Sequence, residues 1–327
     1  MTSSAVGTAA GFTSYDAAFL GVTGPSPLLV RVVETDAHEG PVYVGDEDAL
    51  YFTSLPRSRP GRPDPEVAVR RLSLDGPRFP LEPERLSVLR ADTNAANGMT
   101  LGLDGTLLVC EQGGTERPAR ISRLERETGT ATTVVDRWRG LPLNSPNDVV
   151  VRTDGSLWFT DPSYGYLQGF RPRPEVGDYV YRYDPLIGVL TVVDDSMDKP
   201  NGLAFSPDET VLYVTDSGAN QRPGSYHADR PHRVVAFDVD AHRQLTHRRL
   251  LAVTSPGFPD GIKVDVEGRV YVSSPTGVQV LAPEGALLGQ IDVPGAVNFT
   301  FGGLDQDVLF ITTDTAVWAA VLDTKGA

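Results

Sequence analysis

The stretch Asn201-Gly-Leu-Ala-Phe-Ser-Pro-Asp208-Glu-Thr-Val211-Leu-Tyr-Val-Thr-Asp216 decides the fold. An amide opens a short β-rich run, an acid stands seven residues later, and a second run ends in Thr-Asp. Branched and aromatic residues on both sides of a polar turn read as a hairpin. The same grammar recurs five more times. First runs open at Glu39, Asn97, Asn147, Asp260 and Asn298, and the acid seven residues on is Asp46, Asp104, Asp154, Glu267 and Asp305. Second runs follow, among them Ala49-Leu-Tyr-Phe-Thr-Ser, Thr106-Leu-Leu-Val-Cys-Glu and Ser156-Leu-Trp-Phe-Thr-Asp. A third run is readable in five units, from Ala119, Tyr179, Arg233, Gly277 and Ala316, and a fourth in most of these. Four strands per unit, with units 58, 50, 54, 59 and 38 residues apart, is the pattern of β-propeller blades. The expected fold is therefore all-β: a six-bladed β-propeller of four-stranded antiparallel blades. The run Pro27-Leu-Leu-Val-Arg-Val-Val has no partner nearby in sequence. It is predicted to supply the outer strand of the last blade, closing the ring and removing a sheet edge. Residues 1–26 then form an N-terminal extension, and 27–323 a single propeller domain.

Composition narrows the partners. The chain has 327 residues, 43 acidic and 29 basic, for a net charge of −14. Nucleic acid and anionic membrane need a basic face, so neither is expected as a partner. One cysteine, Cys110, excludes an intramolecular disulfide and a cysteine zinc site. No apolar run approaches the ~18 residues of a spanning helix. The first 24 residues carry no Lys or Arg and do not read as a secretory signal. The expectation is a cytoplasmic protein, a monomer or weak homo-oligomer.

The repeat also points at a site. In a propeller the first strand of each blade lines the central channel, so the residues opening those strands gather at one mouth. Glu39, Asn97, Asn147, Asn201, Asp260 and Asn298 would form a ring of oxygen donors. Taken singly, Asn and Asp open strands through turn hydrogen bonds. Taken together, Glu39 and Asp260 repel unless a cation lies between them. Ca²⁺ accepts six to eight oxygens, carboxylate and amide alike. Zinc prefers histidine and cysteine, and no such cluster is visible.

The motifs Glu39-Gly-Pro, Ser145-Pro-Asn-Asp148, Phe159-Thr-Asp-Pro162, Lys199-Pro-Asn-Gly202, Tyr213-Val-Thr-Asp216 and Pro259-Asp-Gly261 resemble the SMP-30/gluconolactonase/LRE-like family over roughly residues 35–320. The run His38-Glu-Gly-Pro-Val-Tyr43 and residues 164–183 are most similar to its lactonohydrolase branch. The resemblance implies a six-bladed propeller with one divalent cation at the channel mouth, usually Ca²⁺, with Mg²⁺, Mn²⁺ or Zn²⁺ as competitors. The implied ligands are Glu39, Asn147, Asn201 and Asp260, and Asp260 is also the implied general base. The implied activity is hydrolysis of a small-molecule lactone of sugar or polyol type. The cation would polarise the carbonyl while Asp260 takes a proton from water.

Further residues are candidates for binding substrate. Asn97 and Asn298 sit at the two remaining ring positions. Glu111, Asp161 and Asp216 end the second strands of blades two, three and four, and are read either as substrate-hydroxyl binders or as acids that cap loops. Arg120 is a candidate ion-pair partner of Glu111. A long insertion, residues 162–178, is expected to cover the mouth as a lid or else to be a surface loop. Tyr164, Tyr166 and Phe170 would be its apolar wall, and Arg171 or Arg173 a partner for a carboxylate product. Residues 217–232 form a second insertion, with Tyr226 and His227 as candidates. Residues 57–65 read as a plain exposed connection.

Two other functions remain open at this level. The same cation could serve a phosphoester or organophosphate hydrolase, and a propeller can be a non-catalytic, Ca²⁺-stabilised binding module. No G-x-S-x-G elbow is present, and the five histidines do not assemble a nucleophilic triad.

Overall fold

In a computed structural model, which describes residues 7–74, 76 and 78–327, six antiparallel blade sheets form a ring, five of four strands and one, the fifth, of six. Blade one is built from Val42–Val44, Ala49–Thr53, Val69–Ser73 and Leu86–Arg90. Blades two to four start at Ala96–Leu101, Val149–Val151 and Pro200–Phe205 and run through consecutive strands. Blade five begins at Ile262–Val264, and blade six comprises Ala296–Gly302, Val308–Thr313, Ala316–Val321 and Leu28–Glu34. The N-terminal run therefore closes the ring, with Leu28 opposite Val321 and Glu34 opposite Ala316.

The apolar runs are continuous rather than alternating because each sheet is covered on both faces. All five residues of Ala49–Thr53, Leu107–Glu111, Leu157–Asp161 and Val270–Ser274 are buried. The core is divided into six apolar clusters, one between each pair of neighbouring blades. The cluster between blades three and four, for example, packs Trp158 and Val180 against Leu203, Val214 and Phe237. The repeated turn acids close the first hairpins. Asp104, Asp154 and Asp208 accept from the backbone N–H groups of Thr106, Ser156 and Thr210 at 3.1, 2.9 and 3.1 Å. In blade five this role falls to Asp265 instead of Glu267.

Three features depart from the sequence reading. The outer strands of blade one were not legible, because Val-Arg-Arg-Leu-Ser alternates charge with apolar residues near a long turn. Residues Gly7–Ala9 and Phe12–Ser14 pair onto the outer edge of blade five, Phe12 opposite Ile291, so this part of the expected extension belongs to a sheet. The first six residues lie outside the described ones. Residues 57–66 form a hairpin, Arg57–Arg59 with Arg62–Glu66, rather than a plain connection. Helix is confined to short turns such as Leu20–Thr23 and Tyr164–Leu167, and no described helix is long and apolar enough to cross a membrane.

Candidate active site

At the mouth where the first strands begin, a cavity of about 510 Å³ is lined by Glu39, Asn97, Asn147, Asn201 and Asp260. Five of the six predicted ring residues thus meet in one place, one from each of blades one to five. Two repeated devices hold them there. The glycine after a ring residue presses against the next blade. A Cβ on Gly40, Gly98, Gly202 or Gly261 would lie 2.6 Å or less from an atom of Asn97, Asn147, Asp260 or Asn298, respectively. Real Cβ atoms do not come so close, so a larger residue would push the blades apart. The second device is a hydroxyl near the end of each second strand. Thr160 Oγ1 donates to Asn201 O at 2.6 Å, Thr215 Oγ1 to Asp260 O at 2.8 Å, and Thr312 Oγ1 to Asn298 O at 3.0 Å. Blade two breaks the series with Cys110, which is buried and whose thiol is pushed well up by that burial.

Among the described residues neither carboxylate of the ring forms an ion pair, and His38 is the one cationic group that acts on Glu39. Glu39 is buried and accepts from Gly40 N at 3.0 Å and from Asn298 Nδ2 at 2.7 Å. Burial raises its pKa, and the Asp148 carboxylate adds to the rise. Asp260 faces the cavity, and its pKa is pushed well up, first by withdrawal from water and then by Glu39. Two further oxygens are stranded: Asn147 Oδ1 and Asp148 Oδ2 are buried without a hydrogen-bond partner among the described residues. No trio of His, Cys, Asp or Glu gathers as a metal cluster among the described residues. The donor set is two carboxylates plus amide oxygens, all hard donors.

Asn298 is not on the cavity wall. Its Oδ1 accepts from Phe299 N at 2.8 Å while its amide holds Glu39, so it positions a ring residue instead of facing a substrate. Asn97 keeps its place on the wall, with Nδ2 committed to Asn147 O at 3.0 Å.

The three second-strand acids are also turned away from the cavity. Asp161 accepts from the N–H groups of Asn144 and Ser145, each at 2.8 Å. Asp216 accepts from Asp198 N and Lys199 N, at 3.2 and 3.0 Å, and pairs with Arg233. Glu111 meets Arg120 Nε at 2.6 Å, Ser122 Oγ at 2.7 Å and Asn94 Nδ2 at 3.0 Å. Each holds the loop that leads into its blade's ring residue. The physical reason is local: a loop entering a strand carries free N–H groups, and a buried carboxylate satisfies two at once. Arg120 is indeed the partner of Glu111.

The 162–178 insertion covers part of the mouth. Tyr164, Gln168 and Phe170 line the cavity, whereas Tyr166 is half exposed and faces away. The Tyr164 phenol is pushed well up by burial and by the Asp260 charge. Arg171 is a strap for this insertion. It donates to Asn144 O at 2.9 Å, Gly114 O at 2.7 Å and Leu143 O at 3.0 Å, and so is not available to a product. From the second insertion Asn220, Arg222 and Pro223 reach the cavity, and Tyr226 and His227 do not. The 57–66 hairpin adds Arg57, Ser58 and Arg62 to the rim. These rim residues come from loops, where no repeat marks them. A larger cavity of about 640 Å³ lies at the opposite end of the channel. It is lined by residues such as Val42, Thr100, Val150 and Lys263, and Glu209 is the one acidic side chain among its described lining residues.

The model of the SMP-30/gluconolactonase/LRE-like region matches residues 37–315. The chain belongs to that family. Its relatives in the family include a lactonohydrolase of Aspergillus oryzae, 31% identical over 312 residues, covering 88% of this chain and 69% of that protein. A gluconolactonase of Zymomonas mobilis is 31% identical over 328 residues, covering 95% and 85%. A solved gluconolactonase of Xanthomonas campestris superposes with a TM-score of 0.77 at 34% identity, covering 97% of this chain and 96% of that one.

Proposed function

We propose that this protein hydrolyses a lactone at the ringed mouth, with Asp260 as the base and a divalent cation held by Glu39, Asn147, Asn201 and Asp260. The observation that carries the reading is the meeting of Glu39 and Asp260 in one cavity, close enough for the charge of one to raise the pKa of the other. Two repelling carboxylates, a stranded Asn147 oxygen and an all-oxygen donor set suit Ca²⁺. When bound, such a cation supplies Lewis-acid polarisation of the lactone carbonyl and offsets charge developing on its oxygen.

The chain's own groups do the rest. An Asp260 carboxylate oxygen accepts the proton of the attacking water. Asn97 and Asn201 present amides to substrate hydroxyls, which favours a sugar- or polyol-type ring over an apolar ester. Tyr164 and Phe170 form a wall that limits the water reaching the ring. Asn298 fixes Glu39, so its effect reaches substrate only through that residue. Glu111, Asp161 and Asp216 hold loops and take no part in binding.

The test is a pH-indicator assay on D-glucono-1,5-lactone, D-glucono-1,4-lactone and pantolactone. Protein stripped by chelator is compared with Ca²⁺-reloaded protein and with Asp260→Ala. Acid release that needs the cation and vanishes in the variant supports the reading. Equal release from stripped and reloaded protein removes the cation from it, and release persisting in Asp260→Ala removes the base.

A further inference from the structure

The charged groups around the mouth cavity divide into those already satisfied and those left over. Arg57 pairs with Asp36 at 2.8 Å. Arg62 pairs with Asp64 at 3.1 Å and Glu116 at 3.6 Å. Asp314 is met by His38 Nδ1 at 2.8 Å. What remains is the carboxylate pair of Glu39 and Asp260 on the floor and one guanidinium, Arg222, on the rim. The floor pair is the site of the proposed cation. Among the described residues Arg222 forms no ion pair, although the chain carries 14 more acids than bases.

The backbone that carries Arg222 is fixed. Ser225 N donates to Arg222 O at 2.9 Å, and Ser225 Oγ accepts from the N–H groups of Gln221 and Arg222 at 3.2 and 2.9 Å. Pro223 and Gly224 complete this turn, with Gly224 at a φ of 75° that suits glycine. The turn is anchored below by Ala219 N to Pro231 O at 2.7 Å and by Arg230 to Asp198 at 3.0 Å. Beside it, Asn220 Oδ1 is buried without a hydrogen-bond partner and lines the same cavity. A guanidinium carries up to five donors in a fork that matches a carboxylate.

We infer that Arg222 is a specificity-determining residue that selects lactones bearing an anionic substituent, a carboxylate first, remote from the ester. The inference rests on the lactone reading and names its substrate class. A substrate laid across the cavity places its ring carbonyl at the floor, where Glu39 and Asp260 exclude an anion that has no cation beside it. Its far end then meets the rim, where Arg222 offers the only unpaired positive side chain among the described lining residues. Asn220 Oδ1 accepts from a hydroxyl next to that end.

The matched probes are D-glucaro-1,4-lactone and D-glucono-1,4-lactone, which differ at one end by a carboxylate against a hydroxymethyl group. Expected is a wild-type kcat/KM at least about tenfold higher for the glucarolactone, expressed in KM. Arg222→Ala should erase that preference, and Arg222→Lys should restore part of it. Added salt should weaken the preference, as it does for an exposed charge pair. No preference in the wild type, or equal losses on both lactones in Arg222→Ala, overturns the inference while leaving lactone hydrolysis standing. If neither lactone is opened, the lactone reading fails by itself. Calorimetry with D-glucarate and D-gluconate then reads the anion site: tighter glucarate binding that depends on Arg222 supports it, and equal binding overturns it.

Discussion

Two sets of acids stand at the same mouth, built from the same residue types, and they have opposite surroundings. Glu39 and Asp260 open first strands, and Glu111, Asp161 and Asp216 end second strands. The second set is met by backbone N–H groups, by Arg120 and by Arg233, and disappears into the wall. The first set faces an open cavity, and among the described residues neither Glu39 nor Asp260 has the Arg ion pair that Glu111 and Asp216 have. A buried carboxylate that ties down a loop and is free of like charge stabilises a fold; two that face each other repel, and a bound cation relieves them. Which of these an acid becomes depends on whether it stands before a first strand or ends a second one.

The sharpest way to break this contrast is to neutralise one member of each set. Glu39→Gln should lower kcat/KM on the best lactone by at least about a hundredfold, the scale of losing an electrostatic group at a reacting centre. In chelator-treated protein the same change should leave the melting temperature equal or higher, because it relieves repulsion with Asp260. A clear drop in metal-free stability would place Glu39 among the structural acids. Asp161→Ala should do the reverse. It strands the buried N–H groups of Asn144 and Ser145, and should cost about 2–4 kcal/mol in urea unfolding.

The pH dependence of Asp161 sharpens the contrast further. Burial raises its pKa to about 7, against the bonds from Asn144 and Ser145 that favour the charged form. A raised carboxyl pKa means that the folded protein binds the proton more tightly than the unfolded chain does. Its contribution is therefore complete below about pH 4 and is lost as pH rises through about 7. The urea midpoint of the wild type relative to Asp161→Asn should fall across that window and stay level above it. A difference independent of pH would show that the two backbone donors hold the carboxyl ionised throughout.

The smallest effect concerns the hydroxyl series. Thr160→Val removes the bond to Asn201 O and keeps the shape, so it should cost about 1 kcal/mol, read by thermal melting. Cys110 fills the equivalent position in blade two without such a bond, so Cys110→Val should change the melting temperature less than Thr160→Val does. Equal losses would mean that packing, rather than the hydroxyl, sets the value of this position.

The ring was legible because it lies on the repeat. Each of its residues opens a strand, and a strand opening recurs with the blade. Asn298 was placed correctly in that register, yet its side chain turns to Glu39 and Phe299, a choice made by neighbours from blade one. The hydroxyls at Thr160, Thr215 and Thr312 recur next to the last residue of their second runs, with Cys110 as the exception in blade two, a signal that a comparison of the six runs position by position finds. Arg222, Asn220 and Gln168 could not be found that way. They sit in insertions of different length, and only folding brings them to a common rim.

The sequence by itself determined the six-fold count, the strand that closes the ring and the oxygen donors at one mouth. It could do so because propeller strands pair with near neighbours in the chain, and the buried faces write themselves as apolar runs. Tertiary structure alone decided which acids face the cavity and which hold loops, and which rim arginine forms no ion pair among the described residues. Those outcomes depend on contacts between residues far apart in sequence, such as Asn298 with Glu39 or Arg57 with Asp36, and a local pattern has no means of recording them.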